Sequence, residues 1–102
     1  MKKIKKYEDF LFKSLQNPKE AAAYLNVHLE DSSKDKDQLF LLALRDVAKA
    51  YGFTELAHKS ELGRESLYKA LSENGNPKLV TLISVLDALG LKLSVEVNKK
   101  AS

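Results

Sequence analysis

Four polar side chains within six positions carry the chemistry of this chain: Arg64, Glu65, Tyr68 and Lys69. Arg64 can donate two parallel hydrogen bonds to the edge of a guanine, Glu65 can accept from a cytosine amine, and Lys69 can reach guanine or phosphate. Tyr68 can meet a thymine methyl or a phosphate oxygen. At helical spacing these four share one face, opposite Leu67, Ala70 and Leu71. Ser66 is ambiguous, since its hydroxyl can bond the helix start instead of a base.

Residues 54–72 must position that face. They read as two short helices joined by a tight turn. Leu56 and Ala57 form the inner side of the first, Leu62 plugs the turn, and Gly63 relaxes the backbone before the second. A small residue such as Ala57 suits a close helix crossing. The pattern is that of a helix-turn-helix, whose second helix enters the major groove of double-stranded DNA. Phosphate contacts are expected from helix starts and the small polar residues beside them: Thr54 at the first motif helix, and Asn74, Asn76 and Lys78 around the next one.

The remainder of the chain reads as a helical scaffold. Asn17-Pro-Lys-Glu starts a helix, with Asn17 as cap, Pro18 in the first turn and Glu20 able to bond back to the cap; it continues through Ala21, Ala22, Leu25 and Leu29. A polar connection, Asp31-Ser-Ser-Lys-Asp-Lys-Asp37, offers Ser33 as the next cap. Leu39, Leu42, Ala43, Val47 and Ala50 then carry a second helix that Gly52 ends. After the motif, Asn74 and Gly75 tolerate left-handed backbone, Asn76 can cap, and Pro77 can open a fifth helix with Leu79, Leu82, Ile83, Leu86 and Leu89 as its buried stripe, stopped at Gly90. Residues 91–97 change period. Leu91, Leu93, Val95 and Val97 alternate with Lys92, Ser94 and Glu96, which predicts a half-buried strand with no partner in its own chain, so it is expected to pair with another copy or with a different protein. Residues 1–16 form a basic lead in which Tyr7, Phe10, Leu11 and Leu15 can pack on the body. The expectation is one domain over residues 1–102: all-α, a five-helix bundle with a short C-terminal β-strand.

Bulk properties agree with a small folded domain. The 102 residues suffice for one modest core, and 44% are hydrophobic. The net charge of +3 permits nucleic-acid binding without demanding it. Residues 53–102 hold seven Lys/Arg against six Asp/Glu, a net of +1, so affinity for DNA calls for dimerisation or well-placed contacts. Without cysteine there is no disulfide framework and no thiolate metal site, which suits a reducing cytoplasm. No apolar run approaches transmembrane length, and Lys13 and Ser14 interrupt the apolar residues after the basic N-terminus, against a signal peptide. His28 and His58 are the only histidines, and neither has a partner at metal-binding or nucleophile-activating spacing. There is no glycine-rich phosphate loop. The expectation is a non-enzyme with no cofactor.

With these residues in view the chain resembles the addiction-module antidote family, antitoxins with a Cro/repressor-type helix-turn-helix. Asn-Pro-Lys-Glu-Ala-Ala-Ala-Tyr-Leu (17–25) and Phe-Leu-Leu-Ala-Leu-Arg-Asp-Val-Ala-Lys-Ala-Tyr-Gly (40–52) match its first two helices. Leu-Tyr-Lys-Ala-Leu-Ser-Glu-Asn-Gly-Asn-Pro (67–77) and Val-Leu-Asp-Ala-Leu-Gly-Leu (85–91) are the most distinctive segments. One departure is visible: the motif turn, often Thr-Gly or a similar pair in that family, is Ser60-Glu61 here, so Glu61 needs either a right-handed turn or a strained left-handed one. The resemblance implies a lambda-repressor-like bundle and an antitoxin that binds a toxin similar to the RelE/ParE superfamily and represses their shared promoter as a homodimer. The lead, the first helix and the C-terminal strand are the candidate toxin-facing segments. The alternatives are a stand-alone phage-type repressor and a protein-interaction module that does not bind DNA.

Overall fold

A computed structural model describes residues 2–30 and 33–99, with side chains from residue 6 onward. Met1, Asp31 and Ser32 of the expected lead and connection lie outside the described residues. Six helices follow one another: α1 (Lys2–Ser14), α2 (Pro18–Glu30), α3 (Lys36–Tyr51), α4 (Phe53–Ser60), α5 (Arg64–Ala70) and α6 (Leu79–Ala88). α3 packs against α1, α2 and α4, and α4 packs in turn against α5 and α6. Leu44, Leu56, Leu67 and Leu71 are almost completely buried in one apolar cluster that also takes in Leu25, Val47, Val85 and Leu86. Removing each such side chain from water stabilises the fold by roughly 1.5–3 kcal/mol.

The extra helix is α1, where a lead was expected. Leu11 and Leu15, four apart, land together on the core. The Gln16 Nε2 amide then donates to the Ala50 carbonyl at 3.3 Å, fastening the end of α1 to the end of α3.

Capping follows local chemistry at several ends. The Asn17 side chain accepts from the Lys19 N–H at 2.9 Å. Gly52 closes α3 by donating its N–H to the Ala48 carbonyl and opens α4 by accepting from the Leu56 N–H, both at 2.9 Å. At the end of α6, Leu91 N–H reaches the Leu86 carbonyl (2.8 Å) and Gly90 N–H the Asp87 carbonyl (3.0 Å). This double bond pattern needs a left-handed residue, and Gly90 supplies it at φ 82°. Other boundaries move. The residue before α3 is Asp35 rather than Ser33, and α6 begins at Leu79 behind Lys78, two residues later than Asn76 and Pro77 suggested.

Two apolar stripes are rotated from expectation. In α3, Phe40, Leu44 and Ala48 join Ala43 and Val47 in the core, and Leu42 faces out. In α6, Val85, Leu86 and Leu89 are buried while Leu79 (64%) and Ile83 (40%) are exposed. Both helices are apolar around much of their circumference, so periodicity leaves several faces open and the neighbours choose one.

The strand expected over 91–97 does not form: among the described residues no strand is present. A ladder needs a second extended segment, and every neighbouring element here is a helix.

Candidate nucleic-acid interface

The pair α4 and α5 is joined by residues 61–63. Leu56 and Ala57 from α4 and Leu67 from α5 are buried, and Leu62 packs half-buried against the same core. Glu61 takes the strained alternative, with φ 62° and ψ 16°, the left-handed conformation. Its N–H donates to the His58 carbonyl at 3.4 Å. Gly63, extended at φ −66° and ψ 151°, accepts from the Leu67 N–H at 2.9 Å and so starts α5.

With Leu67 inward, α5 turns Arg64, Glu65, Tyr68 and Lys69 to solvent, as its spacing requires. Tyr68 is only 38% exposed because its ring stacks on Phe53, the first residue of α4, with centroids 4.2 Å apart and an interplanar angle of 15°. The Arg64 guanidinium stands over the same ring, 5.7 Å from its centroid. The Tyr68 ring is thereby held by both Phe53 and Arg64. Lys59, also on α4, is engaged elsewhere: its ammonium lies 5.3 Å from the Tyr51 ring centroid and 3.7 Å from a Glu55 carboxylate oxygen. A hydrogen bond and charge interaction with Tyr51, and then Glu55, raise its pKa above the ordinary lysine value.

Between the end of α5 and the start of α6 lies an open groove of about 750 Å³. Lys69, Asn74, Asn76 and Lys78 line it, so three of the four expected phosphate-contacting residues meet one expected base-reading residue there. Thr54 is exposed in the first turn of α4, outside that groove. Ser66 and Thr81 are also at its wall. Thr81 was not picked out in the sequence; its place three residues after Lys78, in the first turn of α6, is the signal that could have found it. Ser72 lines the groove as well, with its hydroxyl donating to the Lys69 carbonyl at 2.8 Å.

Asn74 and Gly75 can tolerate left-handed backbone, but neither adopts it: among the described residues positive φ occurs at Gly52, Glu61 and Gly90. Gly75 matters for a different reason. A Cβ there would collide with the Ala70 carbonyl oxygen at the end of α5 and sit 2.9 Å from that of Lys69. The loop can fold this tightly under α5 only without a side chain at 75, and that approach shapes the groove.

No group of three His, Cys, Asp or Glu side chains that could hold a metal ion occurs among the described residues. No helix among them is long and apolar enough to cross a membrane. The exposed face and its groove bring together Arg64, Glu65, Tyr68, Lys69, Asn74, Asn76 and Lys78, residue types that can contact phosphates and base edges.

Comparison with known proteins gives this chain its relatives. Over 87 residues it is 38% identical to a protein of Haemophilus influenzae strain Rd described as uncharacterised, covering 85% of this chain and 87% of that one. No solved structure gives a significant match. The family model described as "Probable addiction module antidote protein" matches residues 4–97, from within α1 to Val97 in the tail. The chain belongs to that family of addiction-module antidote proteins.

Proposed function

We propose that the protein is the antitoxin of a type II toxin–antitoxin module that binds operator DNA upstream of its own gene and represses its operon. The observation that carries the reading is the outward face of α5: Arg64, Glu65, Tyr68 and Lys69 exposed together on a short helix braced by α4. In this reading α4 and α5 are the helix-turn-helix of a lambda-repressor-like bundle. α5 lies in the major groove, Arg64 and Glu65 enter deepest, and Lys69 and Tyr68 read or grip alongside them. Thr54, Asn74, Asn76 and Lys78 hold phosphates and set the register. The weak net charge of residues 53–102 makes a single copy a poor DNA ligand, so a two-fold homodimer is proposed, with its two α5 helices about 34 Å apart on an inverted repeat. Family membership supports a toxin partner; a RelE/ParE-like toxin, held by direct binding in the cytoplasm, is the specific proposal.

The test is binding of the purified protein to the DNA upstream of its gene and to a scrambled duplex at two salt concentrations, with Arg64→Ala alongside. Sequence-dependent binding that weakens with salt and is lost in the variant is expected. Equal binding to both duplexes, or to neither, overturns the repressor reading in favour of an interaction module without DNA binding. Repression of an operon with no toxin gene beside it would leave a stand-alone repressor.

A further inference from the structure

The tail after Gly90 is the least explained part of the molecule. Its first residues, Leu91 to Ser94, line a cleft of about 160 Å³ with Leu25, Phe40 and Leu86; Leu91 packs against the core and Leu93 is already 42% exposed. Beyond them Val95 is 98% exposed and Val97 87% exposed. In an extended chain Leu91, Leu93, Val95 and Val97 share one side, and Lys92, Ser94 and Glu96 the other.

We propose that residues 91–97 pair antiparallel with the same segment of a second copy, with the two-fold axis at Ser94. This deepens the homodimer of the proposed function and rests on it. The register follows from the sequence. An axis falling between two residues would set every apolar side chain opposite a polar one, on the wrong face. An axis at residue 92 puts Lys92 against Lys92, and one at 96 puts Glu96 against Glu96; like charges directly opposite are destabilising. An axis at 93 faces Lys92 with Ser94, and an axis at 95 faces Glu96 with Ser94. Only at 94 does each Lys92 face Glu96 of the second copy, with Leu91 on Val97 and Leu93 on Val95, so that all seven residues pair. The complement of this segment is the segment itself, which is why a second copy, rather than an unrelated strand, is its partner. Pairing also gives the fully exposed Val95 and Val97 apolar neighbours and supplies the ladder that the helical body lacks.

The chain has no cysteine, so the pairing is tested by introducing one. Opposed Cα atoms in an antiparallel pair are about 4.5–5.5 Å apart, inside disulfide range. Ser94→Cys should oxidise to a covalent dimer. Val97→Cys, with its two copies roughly 20 Å apart along the ladder, should not. In sedimentation, Lys92→Glu and Glu96→Lys should each weaken self-association by on the order of tenfold, since both pairs become like-charged. An equimolar mixture of the two variants, or the double variant, should restore it. Unchanged helical circular dichroism controls for folding. A wild-type monomer overturns both the pairing and the homodimer. A wild-type dimer in which Ser94→Cys does not cross-link and Lys92→Glu changes nothing overturns the pairing alone and assigns the tail to another partner, the toxin included.

Discussion

Phe53 and Tyr68, fifteen residues apart, stack with ring centroids 4.2 Å from each other and planes 15° off parallel, tying the first residue of α4 to the outward face of α5. Phe53 is buried and Tyr68 is half-exposed, so the pair transmits core packing to the surface. Phe53→Ala should destabilise the protein by about 3 kcal/mol or more, lowering Tm by about 15 °C. Tyr68→Phe keeps the ring and should leave Tm unchanged. A loss of operator affinity in Tyr68→Phe alone would assign the hydroxyl to DNA, and titration of the upstream duplex reads it.

The two glycines flanking α5 should respond in opposite ways. Gly75→Ala drives a Cβ into the Ala70 carbonyl and should cost about 1–3 kcal/mol, read by urea unfolding. Gly63→Ala meets nothing closer than the Ser66 hydroxyl at 3.9 Å, in a conformation any residue adopts. It should be neutral or stabilising by a few tenths of a kcal/mol.

Glu61 holds a left-handed conformation without being glycine. Such a residue costs about 1–2 kcal/mol, part of which a glycine's greater freedom in the unfolded chain offsets. Glu61→Gly should therefore stabilise by roughly 0.5–1 kcal/mol, visible as a rise in Tm.

The Tyr24 hydroxyl donates to an Asp46 carboxylate oxygen at 2.9 Å. Burial first, and then this bond to Asp46, push its pKa up to about 12 from 10. The folded state holds the proton more tightly than the unfolded state. This stabilisation is fully present below pH 10 and is lost as pH rises from 10 to 12. A spectrophotometric titration should show a late phenol step that is absent in Tyr24→Phe, and the variant should lose less stability than wild type across that window.

Lys78 caps the start of α6 at the groove and is proposed to meet phosphate. Lys78→Ala should weaken binding to operator and scrambled DNA alike and reduce the salt slope by about one. Arg64→Ala should instead cost about 1–3 kcal/mol on the operator only. A Lys78 variant that weakens the operator selectively would move Lys78 to base reading.

Much of the scaffold was legible because it is local. The Asn17 cap, the ends at Gly52 and Gly90, and the inward turn of Leu56, Leu67 and Leu71 each depend on residues within one or two turns of each other. The same locality made Arg64, Glu65, Tyr68 and Lys69 readable as one outward face: once Leu67 and Leu71 point in, helical geometry leaves those four little choice. α1 was missed because Leu11 and Leu15 are a weak apolar signal among lysines, and only the surface they dock on makes a helix there worthwhile.

What the sequence by itself determined, then, is the set of helices in the body, most of their ends and the polar face of α5, since capping and 3.6-residue periodicity act over short distances. The tertiary structure alone decided which side of α3 and α6 is buried, that Phe53 supports Tyr68, and that Gly75 is required by the Ala70 carbonyl rather than by left-handed backbone. Those outcomes rest on contacts between elements, where an apolar residue has several partners of similar energy and the packing of the whole core selects one.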